Sequence, residues 1–152
     1  FRKNVDDLFE SDLTPEMVAA KLIQMVFRDP SDIEKILFEL TLLFVEQPDL
    51  YAEFSQKITI VNDEAYLMGR AITYLTANVA NGYFKPMASV EDIFSTLIAS
   101  IDGIKRDVIL TRYYQVGNDA SGTNFPNFET KVLTSVLIKQ FILMLGGDIE
   151  KI

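Results

Sequence analysis

Thr14-Pro15-Glu16-Met17-Val18 opens one helix and Ser31-Asp32-Ile33-Glu34 opens the next, and these two openings decide the fold class. Thr14 offers an N-cap oxygen, and Pro15 takes the first helical position, where a missing N–H costs nothing. Met17, Val18, Leu22, Met25 and Val26 then recur at helical spacing until Arg28-Asp29-Pro30 interrupts the run. Ser31 and Glu34 make a capping box, each side chain satisfying a backbone N–H that the helix start leaves without a partner. Behind it, Ile33, Ile36, Leu37, Leu40, Leu43 and Phe44 form an apolar stripe ending near Gln47-Pro48. Two such runs bracketed by prolines predict an antiparallel helix pair with a very short turn.

Working outward, Pro48-Asp49-Leu50 starts a brief helix through Phe54, and Ile58-Thr59-Ile60-Val61 reads as a short strand-like segment before Asn62 caps the next helix. That helix runs from Asp63 to about Asn81, with Tyr66, Leu67, Ile72, Leu75 and Val79 beside the small residues Gly69, Ala71, Ala77 and Ala80, and Gly82 stops it. Ser89 caps a further helix through about Ser100, turning Val90, Ile93, Phe94, Leu97, Ile98 and Ile101 inward, with Gly103 behind it. Residues 104–116 are rich in β-branched and aromatic side chains, yet Ile104, Val108 and Tyr114 also suit a helix, which is the reading we favour. Gly117 to Asn127 is a loop.

The last helix, Phe128 to Leu145 with Gly146-Gly147 as its stop, carries Val132, Leu133, Val136, Leu137, Phe141, Met144 and Leu145 on one face. Ile138, Ile142 and Leu143 lie elsewhere around it. A helix apolar on most sides is either central to its domain or packed against another chain. The expected fold is therefore all-α, a single compact bundle of six to seven helices spanning residues 1–152.

Composition agrees with one core: 152 residues, 49% hydrophobic and 24% charged, are the size and make-up of a single globular domain. The chain has no Cys, no His and no Trp. That excludes Ser-His-Asp and Cys-His nucleophile sites, zinc held by Cys or His, and disulfide frameworks. With 14 Lys+Arg against 22 Asp+Glu the net charge is −8, and residues 1–76 hold 14 of the acids against 7 bases, so direct nucleic-acid binding and anionic lipid are disfavoured. The longest apolar stretches, Ile36–Val45 and Val136–Leu145, are too short and too polar to span a bilayer. Absence of Cys fits a reducing, cytoplasmic setting. The missing initiator Met suggests that the chain begins inside a longer product or has been trimmed.

Asp6-Asp7-Leu8-Phe9-Glu10 puts carboxylates three and four residues apart on one helical face, a spacing that can hold Mg²⁺. It is similar to the aspartate-rich motif of isoprenoid synthases, and the resemblance implies a Mg²⁺-bound diphosphate. It covers five residues, and the second metal motif that those enzymes carry on a facing helix is missing here. The alternative is a solvated acidic turn ahead of Thr14. Gly117-Asn118-Asp119-Ala120-Ser121-Gly122-Thr123 has the glycine spacing of a phosphate-binding loop without its Lys, and fits a calcium loop only with Asn124 and Thr130 where Gly and Glu belong. A plain turn-forming loop accounts for it better. Asp29, Asp32, Glu34, Asp63 and Glu64 could converge as a two-metal cluster, but their spacings diverge around each helix axis and suit N-terminal charges favoured by the helix dipole.

Tyr83-Phe84 and Tyr113-Tyr114 fall at element ends, where amphipathic rings are enriched at interfaces. Together with Phe125, Ile138 and Ile142 they are the candidate interface residues. The expectation is a non-catalytic helical interaction or assembly protein, of the viral or phage particle-assembly or adaptor kind, with no cofactor and with a protein partner or self-association as its binding mode. The alternatives are a Mg²⁺-dependent carboxylate enzyme acting on phosphate esters or diphosphates, and an acidic inhibitor that mimics nucleic acid.

Overall fold

The computed structural model describes residues 1–27, 30–57, 63–114 and 129–152, which form seven α-helices and one short 3₁₀ turn, with no strand among them. The helices are α1 (Arg2–Phe9), α2 (Pro15–Val26), α3 (Asp32–Glu46), α4 (Pro48–Lys57), α5 (Asp63–Ala80), α6 (Val90–Tyr114) and α7 (Thr130–Met144), and the 3₁₀ turn is Ile149–Lys151. The all-α bundle expected from the sequence is the fold observed. The strand-like Ile58–Val61, the loop from Gly117 to Asn127 and Phe128 lie outside the described residues.

The Thr14 hydroxyl accepts the Met17 N–H at 3.3 Å, Pro15 is the first helical residue, and α2 starts where the sequence places it. This helix is the centre of the fold. It packs on α1, α5, α7 and the 3₁₀ turn, burying Val18, Ala19, Ala20, Leu22 and Ile23. The two alanines let neighbouring helices close in. Around α2, α1 contributes Val5 and Leu8, and α5 contributes Leu67, Ala71 and Leu75 at four-residue spacing. The first part of α6 adds Val90, Ile93, Phe94, Leu97 and Ile101, while α7 adds Leu137, Ile138, Phe141 and Ile142. Phe94 meets Phe141 edge-on at 6.2 Å. Each fully buried aliphatic side chain of this kind stabilises the fold by about 2 kcal/mol relative to exposure.

Two local expectations change. The proline bracket predicts that α2 and α3 pair, but α3 packs on α4, because α2 already turns its apolar positions to α1, α5 and α7. Gly103 does not end a helix: α6 passes through it to Tyr114, since a lone glycine costs a helix only about 1 kcal/mol and buried Val108 and Ile109 continue the apolar side. The helical reading of 104–114 holds, and residues 115–116 lie outside the described residues. The last helix buries one side, through Leu137, Ile138, Phe141 and Ile142, while Val132, Val136 and Leu143 stay more than half exposed, so the chain's own fold does not enclose it all round.

Among the described residues, Gly82 and Gly146 are the glycines with positive φ, +80° and +72°, and they close α5 and α7 as expected. At Gly146 a β-carbon would sit 2.3 Å from the Lys85 carbonyl oxygen, so the turn after α7 needs glycine twice over.

The α3–α4 hairpin stands apart from this core. Ser31 and Glu34 form the capping box, with the Ser31 N–H donating to Glu34 Oε2 at 2.8 Å. Phe44 packs against Tyr51 and Phe54 of α4 at 5.4 and 5.0 Å between ring centres. No residue of α3 is buried.

Candidate interaction surface

The amphipathic pattern of α3 predicts that its apolar stripe faces the core, and the structure reverses this. Its polar side meets α6: Lys105 Nζ lies 2.8 Å from Glu34 Oε1, the Tyr113 hydroxyl donates to Asp32 at 3.0 Å, and the Tyr114 hydroxyl donates to Glu39. Lys35 pairs with Glu39 at 3.2 Å and lies over the Tyr113 and Tyr114 rings at 5.4 and 5.9 Å. Ile33 (69% exposed), Ile36 and Leu37 are left facing solvent, and Leu40, Leu43 and Phe44 are half-buried. Val45, on another side of α3, and Leu50 and Tyr51 of α4 are exposed as well.

Magnitudes show how unusual this is. A partly exposed ion pair such as Lys105–Glu34, which ties α3 to α6, contributes about 0–1 kcal/mol. Covering one leucine or isoleucine contributes about 2 kcal/mol, so the stripe offers a partner more than α3 gains from α6. Contiguous exposed apolar area of this kind marks an interaction site or an aggregation liability.

Burial pushes the Glu34 carboxyl up, but the hydrogen bonds from Lys105 and Ser31, with the Lys105 charge, outweigh it and hold the group below the ordinary glutamate range. Tyr113 and Tyr114 are pushed up, chiefly because each hydroxyl donates to a carboxylate.

Asp6 and Glu10 of the acidic motif at the start of the chain are engaged by α5, and Asp7 stays exposed. The Tyr66 hydroxyl donates to Asp6 at 2.6 Å, Arg70 Nε lies 3.0 Å from the same oxygen, and Arg70 also reaches Glu10 at 3.6 Å. The Nε contact is close but not aligned as a hydrogen bond, so it acts through charge. Arg2 pairs with Asp63 at 2.8 Å, and Asp32 belongs to Tyr113, so these carboxylates are held at separate contacts. Among the described residues no group of three acidic side chains is placed to hold a metal ion. Asp29, the Glu64 side chain and the Gly117–Thr123 loop lie outside the described residues.

The expected interface residues are used differently. Phe84, Ile138 and Ile142 are buried in the chain's own core, which corrects their assignment to a contact surface: α7 is enclosed by its own fold on that side. Tyr113 and Tyr114 hold α3, and Phe125 lies outside the described residues. Tyr83 belongs to a clasp at the other end of the molecule. Its hydroxyl donates to Glu16 Oε2 at 2.7 Å, the Asp148 N–H donates to Glu16 Oε1 at 3.3 Å, and Lys151 Nζ lies 3.8 Å from Oε1 and donates to the Tyr83 oxygen at 3.3 Å. Glu16 is 1% exposed at the N-terminal turn of α2, where the helix dipole favours its charge. Its hydrogen bond pushes Tyr83 up, and the Tyr83 oxygen with the Glu16 charge pushes Lys151 up.

Sequence reasoning missed the surface role of Ile33, Ile36 and Leu37, because an amphipathic stripe reads the same whichever way it faces. A signal does exist: Asp32, Glu39 and Glu46 stand seven residues apart along one edge of the stripe, as edge charges do in helices that pair with other helices.

No family model, no characterised protein and no solved structure matches this chain.

Proposed function

We propose that this protein is a non-catalytic helical interaction or assembly domain whose contact face is the outward stripe of α3 with the adjoining edge of α4. The observation that carries this reading is the exposure of Ile33, Ile36 and Leu37 on a capped, regular helix whose polar side is already engaged by α6. Of the described carboxylates that phosphate chemistry would call on, Asp6, Glu10, Asp32, Glu34 and Asp63 are paired with Arg70 and Tyr66, Arg70, Tyr113, Lys105 and Arg2 respectively, and Asp7 is exposed. No helix among the described residues is long and apolar enough to cross a membrane.

The test is the double substitution Ile36→Glu, Leu37→Glu. If these side chains serve a contact face, the isolated protein keeps its melting temperature to within about 2 °C, since surface substitutions stay within about 0.5 kcal/mol. It also loses binding of a hydrophobic-surface dye. A fall of about 10 °C or more would make the stripe part of the chain's own core and overturn the reading.

A further inference from the structure

We infer that the occupant of the α3–α4 face is an amphipathic helix of another protein, with lysine or arginine flanking its apolar seam. The inference rests on the reading of this face as a contact surface and names the chemistry of what it takes. Ile33, Ile36, Leu40 and Leu43 recur at alternating three- and four-residue steps, the spacing of a helix-pairing seam, with Leu37 and Phe44 beside it. Asp32, Glu39 and Glu46 line the other edge.

Residues 32–57 hold six acidic and two basic side chains. Lys35 and Lys105 are engaged on the α6 side of α3, by Glu39 and Glu34, and Arg112 stands beside the Tyr113 hydroxyl there. The Tyr113 hydroxyl on Asp32 is a neutral donor and leaves that carboxylate's charge in place, whereas Glu39 shares its charge with Lys35. Glu46 and Asp49, on either side of the turn that joins α3 to α4, are exposed and form no ion pair among the described residues.

These charges choose between occupants. A second copy laid antiparallel would set the acidic edge against itself. Laid parallel, it would set that edge against Leu37 and Phe44, with no cation in reach, and in either case two chains of net charge −8 would meet. An anionic membrane or a phosphate backbone is repelled by the same edge. A helix with a basic flank satisfies both the seam and the edge, a known mode of helix recognition.

The full chain is titrated with two labelled helical peptides of about three heptads each, identical in their leucine and isoleucine seam and flanked by lysine in one and glutamate in the other. The lysine peptide binds about tenfold more tightly at low salt, because several exposed ion pairs each contribute a few-fold. That preference shrinks as salt rises and falls a few-fold in Glu46→Lys, a change the C-terminal end of α3 favours through its dipole. Equal binding of both peptides, abolished by Ile36→Glu with Leu37→Glu, overturns the basic partner and leaves the contact face standing. A dimer in sedimentation that the same double substitution dissociates, with neither peptide binding, overturns it in favour of a second copy. Neither peptide binding to a monomer overturns the inference, and a collapse of stability in the double variant overturns the contact face as well.

Discussion

The Tyr83 hydroxyl donates a 2.7 Å hydrogen bond to Oε2 of Glu16, a carboxylate enclosed at the first turn of α2, and so ties the link between α5 and α6 to the helix at the centre of the core. Lys151 approaches the same pair from the C-terminal turn, and the Thr14 hydroxyl donates to its carbonyl at 3.4 Å. Three distant parts of the chain therefore meet on one buried negative charge. Tyr83→Phe removes a donor from that charge while keeping the ring against Phe84, so urea denaturation should show a loss of about 1 kcal/mol. An unchanged midpoint would mean that water replaces the hydroxyl without cost.

The same clasp sets an alkaline limit. Tyr83 and Lys151 both have folded-state pKa values raised above their ordinary ones, so each contributes stability that is complete below the unfolded pKa and lost as pH rises through the folded one. The ordinary values are about 10 for Tyr and about 10.4 for Lys. Hydrogen exchange at the Asp148 and Leu145 amides should stay protected, after correction for its intrinsic pH dependence, up to that range and open only above it. Opening near neutral pH would contradict the assignment.

At the other end, acid should release α3. Glu34 is held below the ordinary glutamate range of about 4.3, so its contribution is present above that value and is lost as pH falls through the lower folded-state pKa. Lys105→Met removes the partner that holds it down. In that variant the loss of α3 protection, followed by hydrogen exchange, should move to higher pH, whereas an identical profile would show that Lys105 does not restrain α3.

Two glycines separate conformational need from simple occupancy. Gly103 sits within α6 with nothing in reach of an added β-carbon, and Gly103→Ala should stabilise the protein by about 0.5–1 kcal/mol. Gly146 combines φ +72° with the approach to Lys85, and Gly146→Ala should destabilise it by about 2 kcal/mol or more. Thermal melts of the two variants should shift in opposite directions.

Punctuation was the most legible part of the sequence. Thr14-Pro15, Ser31 with Glu34, Ser89, Gly82 and Gly146 act through local backbone chemistry, and each does in the fold what its residue type requires. Direction was not legible. The stripe from Ile33 to Phe44 is as apolar as the buried one on α7, and periodicity reports an apolar face without saying what lies opposite it. Pairing was equally hidden: α3 left α2 for α4 because α2 had better partners far along the chain, and Asp6 found Tyr66 and Arg70 across sixty-odd residues. Nothing in the sequence around Glu16 marks it as buried, since its burial depends on Tyr83 and the C-terminal turn closing over it.

Hydroxyl-radical footprinting read by mass spectrometry tests the central claim, that the α3 stripe faces outward on the folded monomer. Ile36 and Ile142 have the same intrinsic reactivity and opposite surroundings, so on dilute protein Ile36 should label far faster than Ile142. Equal protection of the two in a protein shown to be monomeric would place the stripe inside the chain's own core and contradict the account.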